Sequence, residues 1–262
     1  MKLLFGVLPW TARLWRASGV LLGLLACSAS VWAQDTAANK VRIGAEDDWR
    51  PYSYVSGREP VGFAVDIVKA AWAAAGVTLE LVPLPYARCM RMVDNGDLDG
   101  CFDTLRDART EAQYRWHRQP LFKARIAIYG RTVGPNAPVI GPDDLLGQRI
   151  GVTNGYDYGA KFDGDSRMVR DVAVSDLASL RKLVAGRVDY ALVYDRVADR
   201  IADLHPELAP LFMQRGVLME PLLYLSFNRK GDALKPLIAK FDQGLEQIRK
   251  SGEYARIEAR WR

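Results

Sequence analysis

Charged, hydroxyl and aromatic side chains gather where the apolar pattern reads as the carboxyl ends of short strands. Glu46 to Trp49 follow "VRIGA", Thr104 to Arg109 follow "LDGCFD", Asn154 to Asp157 follow "RIGVT", and Asp195 follows "DYALVY". In open α/β sheets ligands bind at those strand ends, so the first chemistry such residues offer is recognition of a small polar molecule. Nucleophilic catalysis needs a nucleophile, a base and an orienting group within hydrogen-bond reach. No GxSxG, Walker loop or GxGxxG occurs, and His117 ("RWHRQP") and His205 ("LHPEL") stand in contexts that read as structural or solvated. The cysteines form no CxxC pair. No catalytic residue, metal ligand or cofactor is assigned.

The elements that must position these residues come from apolar periodicity. "VRIGA" reads as a strand, "GFAVDIVKAAWAAAG" as a helix stopped by Gly76, "VTLELVPL" as a strand, "YARCMRMVDNG" as a helix, and "LDGCFDT" and "RIAIYGR" as strands. The pattern restarts after the Pro/Gly-rich stretch 133–142. "MRMVDNGDLDGCF" and "RKLVAGRVDYALV" share one plan: a helix, then Gly, then x-x-Asp entering a strand. Strands alternating with helices predict an α/β fold of two similar lobes, each a mostly parallel sheet flanked by helices. The first lobe is expected over residues 40–132 plus 222–262, and the second over 133–221.

The chain has 262 residues, 36 basic and 31 acidic. Residues 1–33 read as a cleaved export signal: Lys2, Arg13 and Arg16 precede the apolar run "ASGVLLGLLACSAS", and Val31-Trp32-Ala33 offers a cleavage site. "LLAC", ending at Cys27, also resembles a lipobox. The leader holds three bases and no acid, which leaves 33 against 31 in the mature chain. That balance gives no nucleic-acid-binding stripe. Of the three cysteines, Cys89 and Cys101 remain after cleavage. Two readings stand: a disulfide, favoured in an oxidising compartment, and two buried thiols. The disulfide is expected, tying the helix "YARCMRMV" to the next strand.

Taken in order, "WRPYSY", "GFAVDIVKA", "GDLDG", "TLRDAR", "DDLLGQRIGV", "LVAGRVDYALVYD" and "GEYARIEARW" resemble the bacterial extracellular solute-binding proteins of the polar amino-acid type, which deliver ligands to ABC importers. The resemblance covers about residues 40 to 262. It implies the type II periplasmic-binding-protein fold, a two-lobe clamp with its ligand cleft between the lobes. It further implies a periplasmic monomer that takes an amino acid-like ligand and partners an ABC permease in the inner membrane. By the same resemblance Arg109, helped by Thr104, grips a ligand carboxylate, as a guanidinium fork matches a carboxylate. Asp195 holds the ligand ammonium, or caps the following helix. Trp49 stacks on the ligand or covers the lobe's own core, and Glu46, Tyr86 and Tyr156 complete the wall.

One stretch departs from the family pattern. Gly155-Tyr156-Asp157 stands where Gly-Ser or Gly-Thr is usual, so a bulky phenol and an acid replace a small hydroxyl. Arg106 also stands where a hydroxyl is common. With Glu46, Asp157 and Asp195 set against Arg109 and Arg106, the charges predict a basic or polar ligand, stacked on Trp49 as a cation–π partner. Two other functions fit the same fold: an exported enzyme resembling cyclohexadienyl dehydratase, with Glu46 or Asp157 as general acid, and a module presenting bound ligand to a membrane sensor.

Overall fold

The computed structural model describes residues 39–134 and 137–262. The expected leader over residues 1–33, with Cys27, lies outside the described residues. In chain order the first run is β1 (Lys40–Glu46), a small antiparallel flap of β2 (Asp48–Trp49), β3 (Ser53–Ser56) and β4 (Glu59–Val61), α1 (Phe63–Ala74), β5 (Thr78–Leu84), α2 (Tyr86–Asn95), β6 (Gly100–Leu105), β7 (Arg115–Trp116) and β8 (Phe122–Lys123). The second run is β9 (Ile126–Arg131), β10 (Arg149–Thr153), α3 (Ala160–Asp163), β11 (Val169–Ala173), α4 (Asp176–Val184), β12 (Tyr190–Tyr194), α5 (Asp195–Leu204) and β13 (Phe212–Met219). The chain closes with β14 (Leu222–Phe227), α6 (Lys235–Lys250) and α7 (Glu253–Arg260).

Two main sheets result, in the orders β5-β1-β6-β14-β7 and β11-β10-β12-β9-β13. Each carries the expected parallel run, β5-β1-β6 and β11-β10-β12, and adds antiparallel strands. Burial explains the parallel runs. Val41, Ile43 and Ala45 of β1 are fully buried, and α1 lays Phe63, Ile67, Val68, Ala71 and Trp72 over the sheet at helical spacing. In the second run Ser175 caps α4 by accepting the Ala178 N–H at 3.2 Å.

The final helices return to the first sheet. Trp72 of α1 meets Phe241 of α6 at 4.8 Å between ring centroids, and Trp261 donates its indole N–H to Asp66 of α1 at 2.8 Å. The sequence expectation drew the lobe boundary after residue 132. Instead β9 is hydrogen-bonded between β12 and β13, so residues 126–131 belong to the second sheet. The two chain crossings lie side by side: the Ala124 N–H donates to the Pro221 carbonyl at 3.0 Å, and Glu220 pairs with Lys123 and Arg125.

Cys89 of α2 and Cys101 of β6 form the expected disulfide, 12 residues apart, with their Cα atoms 6.1 Å apart. His117 is fully buried, and its Nε2 accepts the Leu225 N–H at 2.9 Å. Burial pushes its pKa down to about 3, so it serves as a neutral core acceptor.

Candidate ligand-binding site

The carboxyl ends of β1, β6, β10 and β12 converge between the two sheets on a small, partly open cavity. From the first sheet come Glu46 at the end of β1, Trp49 of the flap, Tyr86 opening α2, and Asp103 and Leu105 of β6. From the second come Tyr156 and Asp157, just past β10, and Tyr194 at the end of β12.

Direct contacts across this cleft close it. The Tyr156 hydroxyl donates to Glu46, and Arg109 pairs with Asp157. Trp49 stacks on Tyr52 at 4.3 Å and meets Tyr194 edge-on at 4.8 Å, while Tyr86 meets Tyr156 edge-on at 5.6 Å. Gly155 has φ +80°, and a methyl group there would lie 2.6 Å from the Ala87 side chain, so only glycine lets the β10 loop seat on α2.

Three carboxyl groups face this space, and burial governs each. Glu46 is pushed well above the ordinary glutamate range by desolvation; the Tyr156 hydrogen bond opposes the shift, and Asp176, Asp103 and Asp47 add repulsion. Asp103 is raised well above its ordinary range by desolvation alone. It is 8% exposed, and neither of its oxygens has a hydrogen-bond partner. Asp157 is raised by burial in spite of Arg109. Trp49 Nε1 is also buried without an acceptor.

A bulge aims Asp103. In the β6–β14 pairing Thr104 faces Tyr224 while Cys101 faces Ser226, so β6 spends one extra residue there, and Asp103 adopts φ +67°. Asp103 and Leu105 therefore line the cavity while Thr104 turns away. Thr104 is fully buried; its hydroxyl donates to the Cys101 carbonyl at 3.2 Å and lies 3.0 Å from Ser226 Oγ.

The sequence-assigned residues thus divide. Glu46, Trp49, Tyr86 and Tyr156 are brought together at the cavity; Thr104, Arg109 and Asp195 are not among its lining groups. The Arg109 side chain is 51% exposed, and its guanidinium reaches Asp157 and, at 3.4 Å, Asp163. Asp195 begins α5, where its Oδ1 accepts the Arg196 N–H at 2.7 Å and its Oδ2 lies 3.6 Å from Arg125. A carboxylate in the first helical turn complements the helix dipole. Trp49 packs in the main hydrophobic core and also lines the cavity.

Comparison with known proteins decides the family. The family model for bacterial extracellular solute-binding proteins, family 3, matches residues 41–262. The chain belongs to this family. Among curated relatives, the arginine-binding extracellular protein ArtP of Bacillus subtilis (strain 168) is 20% identical over 256 residues, covering 94% of each chain. Among solved structures, a histidine kinase sensor domain with similarity to periplasmic binding proteins superposes with TM-score 0.74 at 21% identity, covering 85% of this chain and 95% of that one. The arginine-, lysine-, histidine-binding protein ArtJ from Geobacillus stearothermophilus superposes with TM-score 0.71 at 22% identity, covering 85% and 94%. These likenesses show the two-lobe binding-protein fold.

In this solute-binding protein the sequence reading passed over Asp103, Leu105 and Tyr194, and had set Asp157 apart as a departure. An acid near the end of the otherwise apolar strand "GCFDTL" was the available signal for Asp103, and the strand-end rule reaches Tyr194 directly. Among the described residues no group of three or more His, Cys, Asp or Glu side chains could hold a metal, and no helix is long and apolar enough to cross a membrane.

Proposed function

We propose that this chain is the periplasmic ligand-capturing component of an ABC importer, taking a basic amino acid or a related cationic metabolite. One observation carries the reading: the lining residues include three acids and, among the described residues, no basic side chain. Burying carboxylates without compensation is costly, and a cation from outside offsets it. The four aromatic walls supply cation–π attraction. The relatives whose names specify arginine, or arginine, lysine and histidine, support the same class. The lobes in this proposal are residues 40–124 with 221–262 and residues 125–220, and capture is their closure about the crossings at Ala124 and Pro221. The protein works as a monomer without catalysis, handing its ligand to a membrane permease.

Isothermal calorimetry tests the reading. Arginine, lysine, ornithine, histidine and their relatives lacking a carboxylate are expected to include a binder, and glutamate is not. Glu46→Gln keeps an acceptor for Tyr156 and is expected to weaken cationic ligands about tenfold more than neutral ones. Tight glutamate binding with no response to any cation would end the proposal. The raised pKa of Glu46 favours one second reading, an enzyme with Glu46 as general acid. Appearance of aromatic ultraviolet absorbance when the protein is added to prephenate or arogenate, as water and carbon dioxide leave and the ring aromatises, would establish that reading instead.

A further inference from the structure

An α-amino acid brings a carboxylate and an ammonium, and a protein that binds one needs a partner for each. Here both partners assigned from sequence are already engaged by the protein itself. Arg109 is held by Asp157 and Asp163, and turning it toward a ligand carboxylate would strip the buried Asp157 of its counter-charge. Arg106, the other nearby guanidinium, is gripped by Glu111 through two hydrogen bonds of 2.6 and 2.9 Å, and it lines a different depression with Trp116. Asp195, the ammonium candidate, faces Arg125.

The cavity offers the reverse set of groups. Asp103 presents two buried oxygens with no donor, held on a strand bulge that aims them, and Glu46 stands in the same cavity with a hydrogen bond only from Tyr156. A ligand carboxylate placed here would meet Glu46, Asp103 and Asp157 with neutral donors alone, the Trp49 indole N–H among them. Desolvation already drives Glu46 and Asp103 toward their protonated forms; a second anion beside them adds to that cost, whereas a cation offsets it. A guanidinium or primary ammonium would instead satisfy the open oxygens with N–H donors and rest against Trp49 and Tyr194.

Building on the cationic-ligand reading, we propose that the ligand is a small amine or guanidinium cation that carries no carboxylate. The open oxygens of Asp103 require N–H donors, so a quaternary ammonium is excluded from the class.

The test compares pairs that differ by one carboxylate: agmatine with arginine, cadaverine with lysine, histamine with histidine, each titrated calorimetrically into the unmodified protein, with choline as the quaternary probe. At least one decarboxylated member is expected to bind ten-fold or more tightly than its parent, with choline at least ten-fold weaker than that member. Arg109→Ala uncovers Asp157 for every ligand alike, so it is expected to leave the ratio of the affinities of that member and its amino-acid parent within about three-fold. Asp103→Asn, checked for folding by circular dichroism, is expected to weaken it at least ten-fold. An amino-acid parent that binds more tightly, and loses binding in Arg109→Ala, would overturn this inference while leaving the cationic-ligand reading intact. Choline binding as tightly as agmatine would overturn the N–H requirement. Silence from all six paired compounds would overturn both readings.

Discussion

The two lobes run the same βαβαβ track and finish it differently. Gly44 of β1 pairs with Cys101 of β6, and Gly151 of β10 pairs with Ala191 of β12. Over each glycine sits one small helical side chain, Cys89 of α2 in the first lobe and Ser179 of α4 in the second. Two residues past the glycine, and three before that helical residue, come Glu46 and Tyr86 in one lobe, Thr153 and Asp176 in the other. The first pair faces the cavity. The second pair is spent on itself, with the Thr153 hydroxyl donating to Asp176 at 2.6 Å. The first lobe is thus a covalently tied platform that presents acids, while the second reaches the site mainly through the loop after β10. Shared backbone geometry sets where a site can be; which lobe furnishes its charge is left to side chains.

The largest expected effect comes from Asp176, the second lobe's inward acid. Burial raises its pKa from the ordinary 3.8 to about 7, opposed by the Thr153 hydrogen bond. The folded state therefore holds a proton that the unfolded chain has released between those values. The contribution of this group to stability is greatest below pH 4, falls as pH rises toward 7, and levels off above. The move from 3.8 to about 7 corresponds to roughly 4 kcal/mol at most. Asp176→Asn retains an acceptor for Thr153 and removes the titration. Urea denaturation across pH 4 to 8 is expected to show the variant gaining on the parent as pH rises. Parallel curves would mean that Asp176 titrates normally and that the lobes differ less than their geometry indicates.

Next in size is the staple. Replacing Cys89 by Ser and Cys101 by Ala gives the first lobe the second lobe's own pair at the corresponding positions. Opening a loop closed by 12 residues is expected to lower stability by roughly 3 kcal/mol in the chain-entropy model. The lobe should still fold, since its twin does without the bond. A double variant as stable as the parent would show that the disulfide adds nothing beyond what Ser179 and Ala191 already supply.

Much of this was legible in the sequence, for physical reasons that also mark where legibility ends. Helix and strand periods gave the βαβ alternation and its repetition, the strand-end rule reached Glu46, Trp49 and Tyr156, and the family resemblance added Tyr86. The sheet membership of β9 was not readable, because "IAIYGR" is apolar in either sheet and its place depends on β12 and β13, both later in the chain. Thr104 was one residue off: a bulge shifts the face of the side chains around it, and neither its register shift nor the positive φ at Asp103 shows in the sequence pattern. Arg109 and Asp195 were displaced by partners far along the chain. The Asp157 and Asp163 carboxyls take the first, and Arg125 takes the second. Local pattern cannot show which of several opposite charges reaches a given one.

The smallest expected effect tests the staple as a source of rigidity. A methyl group added at Gly44 would lie 2.2 Å from Cys89 Sγ, and one at Gly151 would lie 2.4 Å from Ser179 Oγ. The two clashes are nearly equal in distance and should be unequal in energy. The sulfur is bonded to Cys101 on the neighbouring strand and has nowhere to turn, whereas the Ser179 hydroxyl has no hydrogen-bond partner to lose and can change rotamer. Overpacking a rigid site costs about 1–3 kcal/mol. Gly44→Ala should therefore fall near the upper end and Gly151→Ala near the lower, a gap of about 1–2 kcal/mol. The gap should close when Gly44→Ala is placed in the Cys89→Ser, Cys101→Ala background, because the hydroxyl there can rotate as Ser179 does. A double-mutant cycle on urea midpoints measures that coupling. A coupling near zero would show that helix position, not the covalent bond, makes the first lobe unyielding.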